Sequence, residues 1–207
     1  MYQVSKRIFD SCFSLIVLIL GAPLFLIIAL AIKLSSKGPV FFVAKRVGKD
    51  YQTFSCFKFR TMYVDAEKRL QFLLQDAEKR KEWALFHKFK NDPRVTPLGR
   101  FLRKTSLDEL PQFINSLLGD ISVVGPRPLS ARGSKEEVKK VLGKFSDEIL
   151  SVKPGITGLW QTSGRNNVSV KRRQLLELRY VRRRSFLLDL RLIVRTVPVM
   201  IFAKGAY

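Results

Sequence analysis

The chain opens on its longest apolar run: residues 11–32 read SCFSLIVLILGAPLFLIIALAI and carry no charge. As one helix this run would extend roughly 33 Å, long enough to cross a bilayer. Pro23 stands in its middle, where it removes an amide donor and crowds the preceding turn, and Gly21 weakens the helix further, so the pattern predicts a break there. The run lacks a small-residue cleavage site and leads straight into Lys33 and Lys37, so it reads as a retained segment and not as a signal peptide. Three placements are open: a spanning helix, a buried core helix, and a hairpin that enters and leaves by one face. Lys6 and Arg7 precede the run, and Lys33, Lys37, Lys45 and Arg46 follow it, which favours the cytoplasmic side for both ends. A simple anchor with its short N-terminal tail outside stays open, because membrane helices tolerate proline. A core helix is disfavoured, since nothing else so apolar is present to surround it.

Beyond Gly38-Pro39 the pattern changes to VFFVAKRVG and YQTFSCFKFRTM, two β-prone runs separated by Gly48-Lys49-Asp50, which predict a β-hairpin. Residues 64–91 carry Leu70, Leu73, Leu74 and Ala77 at helical spacing among charges, predicting one or two amphipathic helices. A short helix is expected over 107–118, stopping at Gly119, and another over 136–150. The Gly125-Pro126-Arg127-Pro128 loop lies between them, and Pro154-Gly155 and Ser163-Gly164 bracket an irregular stretch holding Trp160 and Gln161. A basic helix follows over 169–184. The final segment from Ser185 mixes apolar clusters with Arg191, Arg195 and Lys204, fitting either the membrane surface or the core.

A length of 207 residues suits one catalytic unit with its own core. Lys and Arg number 38 against 17 Asp and Glu, a formal charge of +21, so anionic partners are expected: nucleic acid, lipid headgroups or phosphorylated substrates. Cys12 and Cys56 have neither zinc-site nor redox spacing and read as small hydrophobic residues, while the lone His87 has no metal partner in sight. P-loop, dinucleotide, GxSxG and HExxH motifs are all missing from the sequence.

Between Asp92 and Asp120 only two carboxylates occur, Asp108 and Glu109, adjacent in RKTSLDELPQF behind Arg94, Arg100, Arg103 and Lys104. Ser106 and Glu109 stand three apart, as in a capping box that merely starts a helix. The same helix start also offers a phosphate-binding end, where one carboxylate would attack phosphorus while its neighbour holds magnesium. Arg103 is near enough to assist. Arg127 is stiffened between two prolines, and Lys58 and Arg60 alternate along a strand and would share one face as a paired anion contact. A solvated strand face is the ordinary alternative.

In order, KRIFD, GPVFF, KFRTM, NDPRVTPLGRFLRKTSLDELPQ, LLGDISVVGPRPL, KPGITGLWQTSGRN and SFLLDL resemble the motifs of the monotopic phosphoglycosyl transferases of bacteria, over nearly the whole chain. The resemblance implies a mixed α/β, mostly helical fold: a re-entrant membrane helix hairpin over 1–37, broken at Pro23, then a compact cytoplasmic catalytic domain over 38–207 with a small β-hairpin and amphipathic interfacial helices. Where the family usually has serine before that proline, this chain has Ala22. It implies transfer of a sugar 1-phosphate, a hexose such as galactose or glucose, from a UDP-sugar to undecaprenyl phosphate with release of UMP. This would be the first membrane step of exopolysaccharide, capsule or O-antigen synthesis. Asp108 would be the nucleophile, Glu109 with Asp108 would hold Mg2+, and Lys58, Arg60, Arg103, Arg127 and Arg165 would bind substrate phosphates. Anionic lipid and a second copy of the chain are the further partners implied, nucleic acid is not among them, and the expected location is the cytoplasmic face of the bacterial inner membrane. The alternatives are a membrane-anchored nucleic-acid-binding module, suggested by Lys171-Arg172-Arg173 and Arg182-Arg183-Arg184, and a scaffold without catalysis.

Overall fold

A computed structural model describes residues 2–86, 89, 91–131, 134–164 and 168–201. The apolar run lies in one long helix, α1 (Tyr2–Ser35), which continues through Pro23. The expected break is therefore not a loss of helix. A proline withdraws a single amide donor, and the turns on either side keep their own bonds.

Only 11% of the most apolar 18-residue window of α1 is buried, which rules out a core helix. Both flanks of the run nevertheless dock on the rest of the chain. Near the start, Asp10 accepts from Ser122 Oγ at 2.7 Å and from the Val123 amide at 3.1 Å, and Arg7 caps the Ser116 and Leu117 carbonyls at 2.6 and 2.8 Å. Near the end, Ile28 and Ile32 are buried with Phe59 and Leu102. Both flanks of the run therefore contact the same folded body.

The predicted hairpin is present as antiparallel β1 (Phe41–Val47) and β2 (Thr53–Phe59), with Phe42 opposite Lys58, and β4 (Leu129–Ser130) adds to the free side of β1. Residues 64–91 give α2 (Ala66–Leu73) and α3 (Ala77–Phe86). α4 (Pro97–Thr105), which the apolar pattern does not announce, starts at a Thr96 cap that accepts from the Gly99 amide at 2.9 Å. The helix expected over 107–118 is a three-residue 3₁₀ turn at 107–109 followed by α5 (Gln112–Leu118), closed by Gly119 with φ of +93°. The one expected over 136–150 is divided by Gly143 into α6 (Lys135–Leu142) and α7 (Ser146–Ile149).

A parallel pair, β3 (Ser122–Val124) and β5 (Gly155–Thr157), leads through α8 (Leu159–Thr162) to α9 (Val170–Arg183) and α10 (Phe186–Ile201). Asp189 of α10 is buried and receives Lys6 at 2.8 Å and the Tyr2 hydroxyl at 2.9 Å, so SFLLDL and KRIFD join the two apolar helices.

The loops after β3 and before β5 touch backbone to backbone. The Gly125 amide donates to Thr157 O at 2.9 Å, the Gly155 amide to Pro126 O at 2.8 Å, and a Cβ on Gly155 would lie 2.0 Å from Gly125 N. Gly155→Ala is expected to force these loops apart and lower stability by roughly 3 kcal/mol, read as a fall in thermal midpoint. A wild-type midpoint would show that the contact yields easily.

Candidate active site

Asp108 and Glu109 occupy the 3₁₀ turn between α4 and α5, entered through Ser106 at φ of +59°. Ser106 makes no side-chain cap here, so the capping-box reading fails. The Glu109 carboxylate instead receives Lys58 Nζ at 2.6 Å and both terminal nitrogens of Arg127, at 2.5 and 2.9 Å. Nor is there a long helix start to receive phosphate: the turn is three residues long, and its Glu109 amide is already bonded to Ser106 O at 3.1 Å.

Asn115 makes this pairing possible. Wholly buried in α5, it accepts from the Phe57 amide at 2.9 Å and donates to Ser55 O at 2.7 Å, fixing α5 against β2 and so bringing Lys58 to Glu109. Arg127 is held from the other side by its own backbone, whose N–H donates to Glu177 of α9 at 3.1 Å.

Arg103 projects from the last turn of α4 and donates from Nε to Thr61 Oγ1 at 2.9 Å. Arg60 is not part of the group. β2 ends at Phe59, so strand alternation no longer governs the next side chain, and Arg60 turns to the end of α1, donating to the Ser36 and Lys37 carbonyls at 2.7 and 2.8 Å. Arg165 and His87 fall outside the described residues.

A cleft of about 670 Å³ opens over the turn. Arg46, Lys58, Arg103, Arg127 and Arg173 line it together with Asp108 and Glu109. Its other side is apolar, with Phe13 and Val17 from α1, Phe113 from α5, and Ile193 and Val197 from α10. A cationic recess therefore adjoins an apolar wall built by the two most apolar helices.

Residues 1–203 match the family described as Bacterial sugar transferase. The chain belongs to that family. The transferase is 40% identical over 205 residues to the exopolysaccharide production protein ExoY of Sinorhizobium fredii, covering 99% of this chain and 88% of that protein. It is 40% identical over 206 residues to an undecaprenyl-phosphate galactose phosphotransferase of Salmonella typhimurium, and 37% over 213 residues to an undecaprenyl-phosphate glucose phosphotransferase of Komagataeibacter xylinus. These alignments take in 98% and 99% of the transferase but 41% and 37% of the two longer enzymes.

The two adjacent carboxylates of the transferase are shifted in opposite directions. Burial pushes the Glu109 carboxyl up, but Arg127 and then Lys58 outweigh it and hold the group well below the usual carboxylate range. Burial also acts most strongly on Asp108, and there it prevails: with the Glu109 charge adding to it, against Lys58, Arg103 and Arg127, the carboxyl rises to about 6. Among the described residues, Asp108 makes no hydrogen bond or ion pair within 4 Å. It is a partly desolvated carboxylate facing a cationic cleft, ionised at neutral pH and not quenched by a partner. Such a group is suited to nucleophilic attack on an anionic phosphorus centre whose charge the surrounding cations offset.

Trp160, Gln161, Arg173 and Glu177 also border or brace the cleft and were not expected there from sequence, Arg173 having stood only in the basic run of the nucleic-acid alternative. The signal for Trp160 and Gln161 lay in their position inside the irregular stretch between two turn pairs. Arg173 and Glu177 look from sequence like any charged residues of a basic helix.

Proposed function

We propose that the transferase moves a hexose 1-phosphate from a UDP-sugar to undecaprenyl phosphate, releasing UMP, by way of a covalent aspartyl phosphosugar. The observation that carries this reading is the unpaired Asp108 carboxylate among Lys58, Arg103 and Arg127, beside a Glu109 already neutralised by two cations. In the first step an Asp108 oxygen bonds to the sugar-bearing phosphorus, and the bond from that phosphorus to the bridging oxygen breaks, with UMP taking the electron pair. In the second, a phosphate oxygen of the carrier attacks the same phosphorus and Asp108 leaves as carboxylate. Arg103, Arg127 and Lys58 offset the charge of the transferring group in both steps.

Magnesium fits the donor set when the diphosphate shares it. The ion takes one or two carboxylates together with substrate phosphates. Glu109 accepts three hydrogen bonds, leaving one lone-pair position, so that oxygen and one of Asp108 would hold it. It would supply Lewis-acid withdrawal of charge from the diphosphate.

The carrier is a lipid and the donor is soluble, which suits a site at headgroup depth. The docking of both flanks of α1 on one body supports an apolar segment that enters and leaves by the same, cytoplasmic face. α10 supports an interfacial lie: Leu187, Val194 and Val197 are exposed while Leu192 is buried. Exposed apolar residues of this kind beside Arg191 and Arg195 match a helix resting on anionic lipid.

Purified protein with magnesium, undecaprenyl phosphate and a panel of UDP-hexoses is expected to release UMP with at least one of them, and only when the carrier is present for multiple turnovers. Absence of UMP with every donor, under conditions where the protein is folded, would overturn the reading.

A further inference from the structure

The transfer proposed above leaves one wall of the cleft without a task. It consists of Trp160 and Gln161 of α8 and Arg173 of α9, all facing the same space as Asp108. The Arg173 guanidinium lies 4.6 Å from the Trp160 ring centre and that of Arg127 5.5 Å, so the indole is shared between this wall and the phosphate-facing arginine.

Among the described residues, two polar atoms of the wall are buried without a hydrogen-bond partner. Gln161 is 5% exposed, and its Oε1 has no hydrogen bond, while its Nε2 reaches Ile156 O only at 3.5 Å. Arg173 Nε likewise has none, its approach to Glu177 Oε1 being 3.9 Å, beyond hydrogen-bond reach. Buried polar atoms left unpaired are destabilising, and a native fold that retains them has another use for them. Here one is an acceptor, one a donor, and both belong to side chains that line the cleft.

We propose that Gln161 and Arg173 read the nucleotide-sugar donor, Gln161 Oε1 accepting from, and Arg173 Nε donating to, a group that carries both a hydrogen and a lone pair. The terminal torsion of glutamine is broad, so the amide turns its oxygen toward the cleft at little cost. On a UDP-sugar three groups have this complementarity: a hexose hydroxyl, a ribose hydroxyl and the imide edge of uracil. This inference rests on the donor reading above and adds the residues that choose among donors.

The test uses the full chain and a UDP-hexose that the wild type accepts. Gln161→Met keeps length and burial but removes both polar atoms, and kcat/KM is expected to fall about 10²- to 10³-fold. If the partner is a hexose hydroxyl, one singly deoxygenated UDP-hexose is turned over equally by wild type and variant, and inhibition by UMP is unchanged. If it is the imide or a ribose hydroxyl, the loss is the same for every sugar and inhibition by UMP weakens by the same factor. Gln161→Glu, which retains an acceptor at the site, restores most of the activity and carries the test if Gln161→Met does not fold. Wild-type kcat/KM in Gln161→Met, or a uniform loss with UMP inhibition unaltered, would overturn the proposal. A wild type that releases no UMP from any donor fails earlier, and would refute the donor reading instead.

Discussion

Asp108→Asn is expected to abolish UMP release, lowering kcat by at least about 10⁴-fold, while making the protein harder to unfold at neutral pH. Both effects come from one circumstance. The carboxyl is raised from 3.8 to about 6, chiefly by burial, so the folded state holds its ionised form at a penalty of up to about 3 kcal/mol above pH 6. The sign follows from proton binding. Between pH 4 and 6 the folded protein binds the proton more tightly than the unfolded chain, so this group takes stability away as pH rises through that window. Asparagine is neutral throughout. The gain in thermal midpoint should therefore be full near pH 7.5 and vanish near pH 4. The wild type should lose kcat/KM about tenfold per pH unit below pH 6, as the attacking carboxylate is protonated. Appreciable turnover by Asp108→Asn would eliminate the nucleophile, and a lower midpoint at pH 7.5 would show that the cations stabilise the carboxylate outright.

The second large effect is expected at the neighbouring position and has the opposite stability sign. Glu109→Gln keeps the shape but removes the charge that Lys58 and Arg127 share, and leaving these partly buried cations without their carboxylate costs about 2–3 kcal/mol. Activity should fall about 10³-fold, because Arg127 and Lys58 lose the group that aims them. One readout separates this from general damage. Glu109 is among the groups that raise the Asp108 carboxyl, and Lys58 and Arg127 are among those that lower it. Removing the glutamate charge must move the acidic limb of the residual rate to lower pH. A limb that stays at about 6 would show that the two carboxylates are not coupled.

Much of this arrangement is visible in the sequence, where each signal is local. The hairpin follows from two β-prone runs around Gly48-Lys49-Asp50, and α9 from a Ser169 cap and helical spacing. α4 was not expected, because its apolar residues are sparse; the signal that could have found it is Thr96-Pro97, a cap followed by proline at the first helical position. The strands β3, β4 and β5 were not, since two or three residues cannot show alternation and their pairing depends on contacts across the fold. At the site, the isolation of the acidic pair pointed to Asp108 and Glu109. That Glu109 would bond Lys58 and Arg127 in place of a helix amide required knowing that Asn115 brings α5 onto β2. Arg60 misled because a periodic rule was carried one residue past the end of its strand. Gln161 and Arg173 stand out at the site only in three dimensions, as side chains with atoms lacking a hydrogen-bond partner among the described residues.

The attachment of both flanks of α1 also bears on how the protein can be handled. Deleting residues 2–35 would uncover Phe59 and Leu102, strip Ser122 and Val123 of Asp10, and leave the buried Arg60 guanidinium without the Ile32 carbonyl. The helix is thus part of the folding unit and not a removable tether, and a detergent-free truncated version should precipitate instead of yielding a working soluble core.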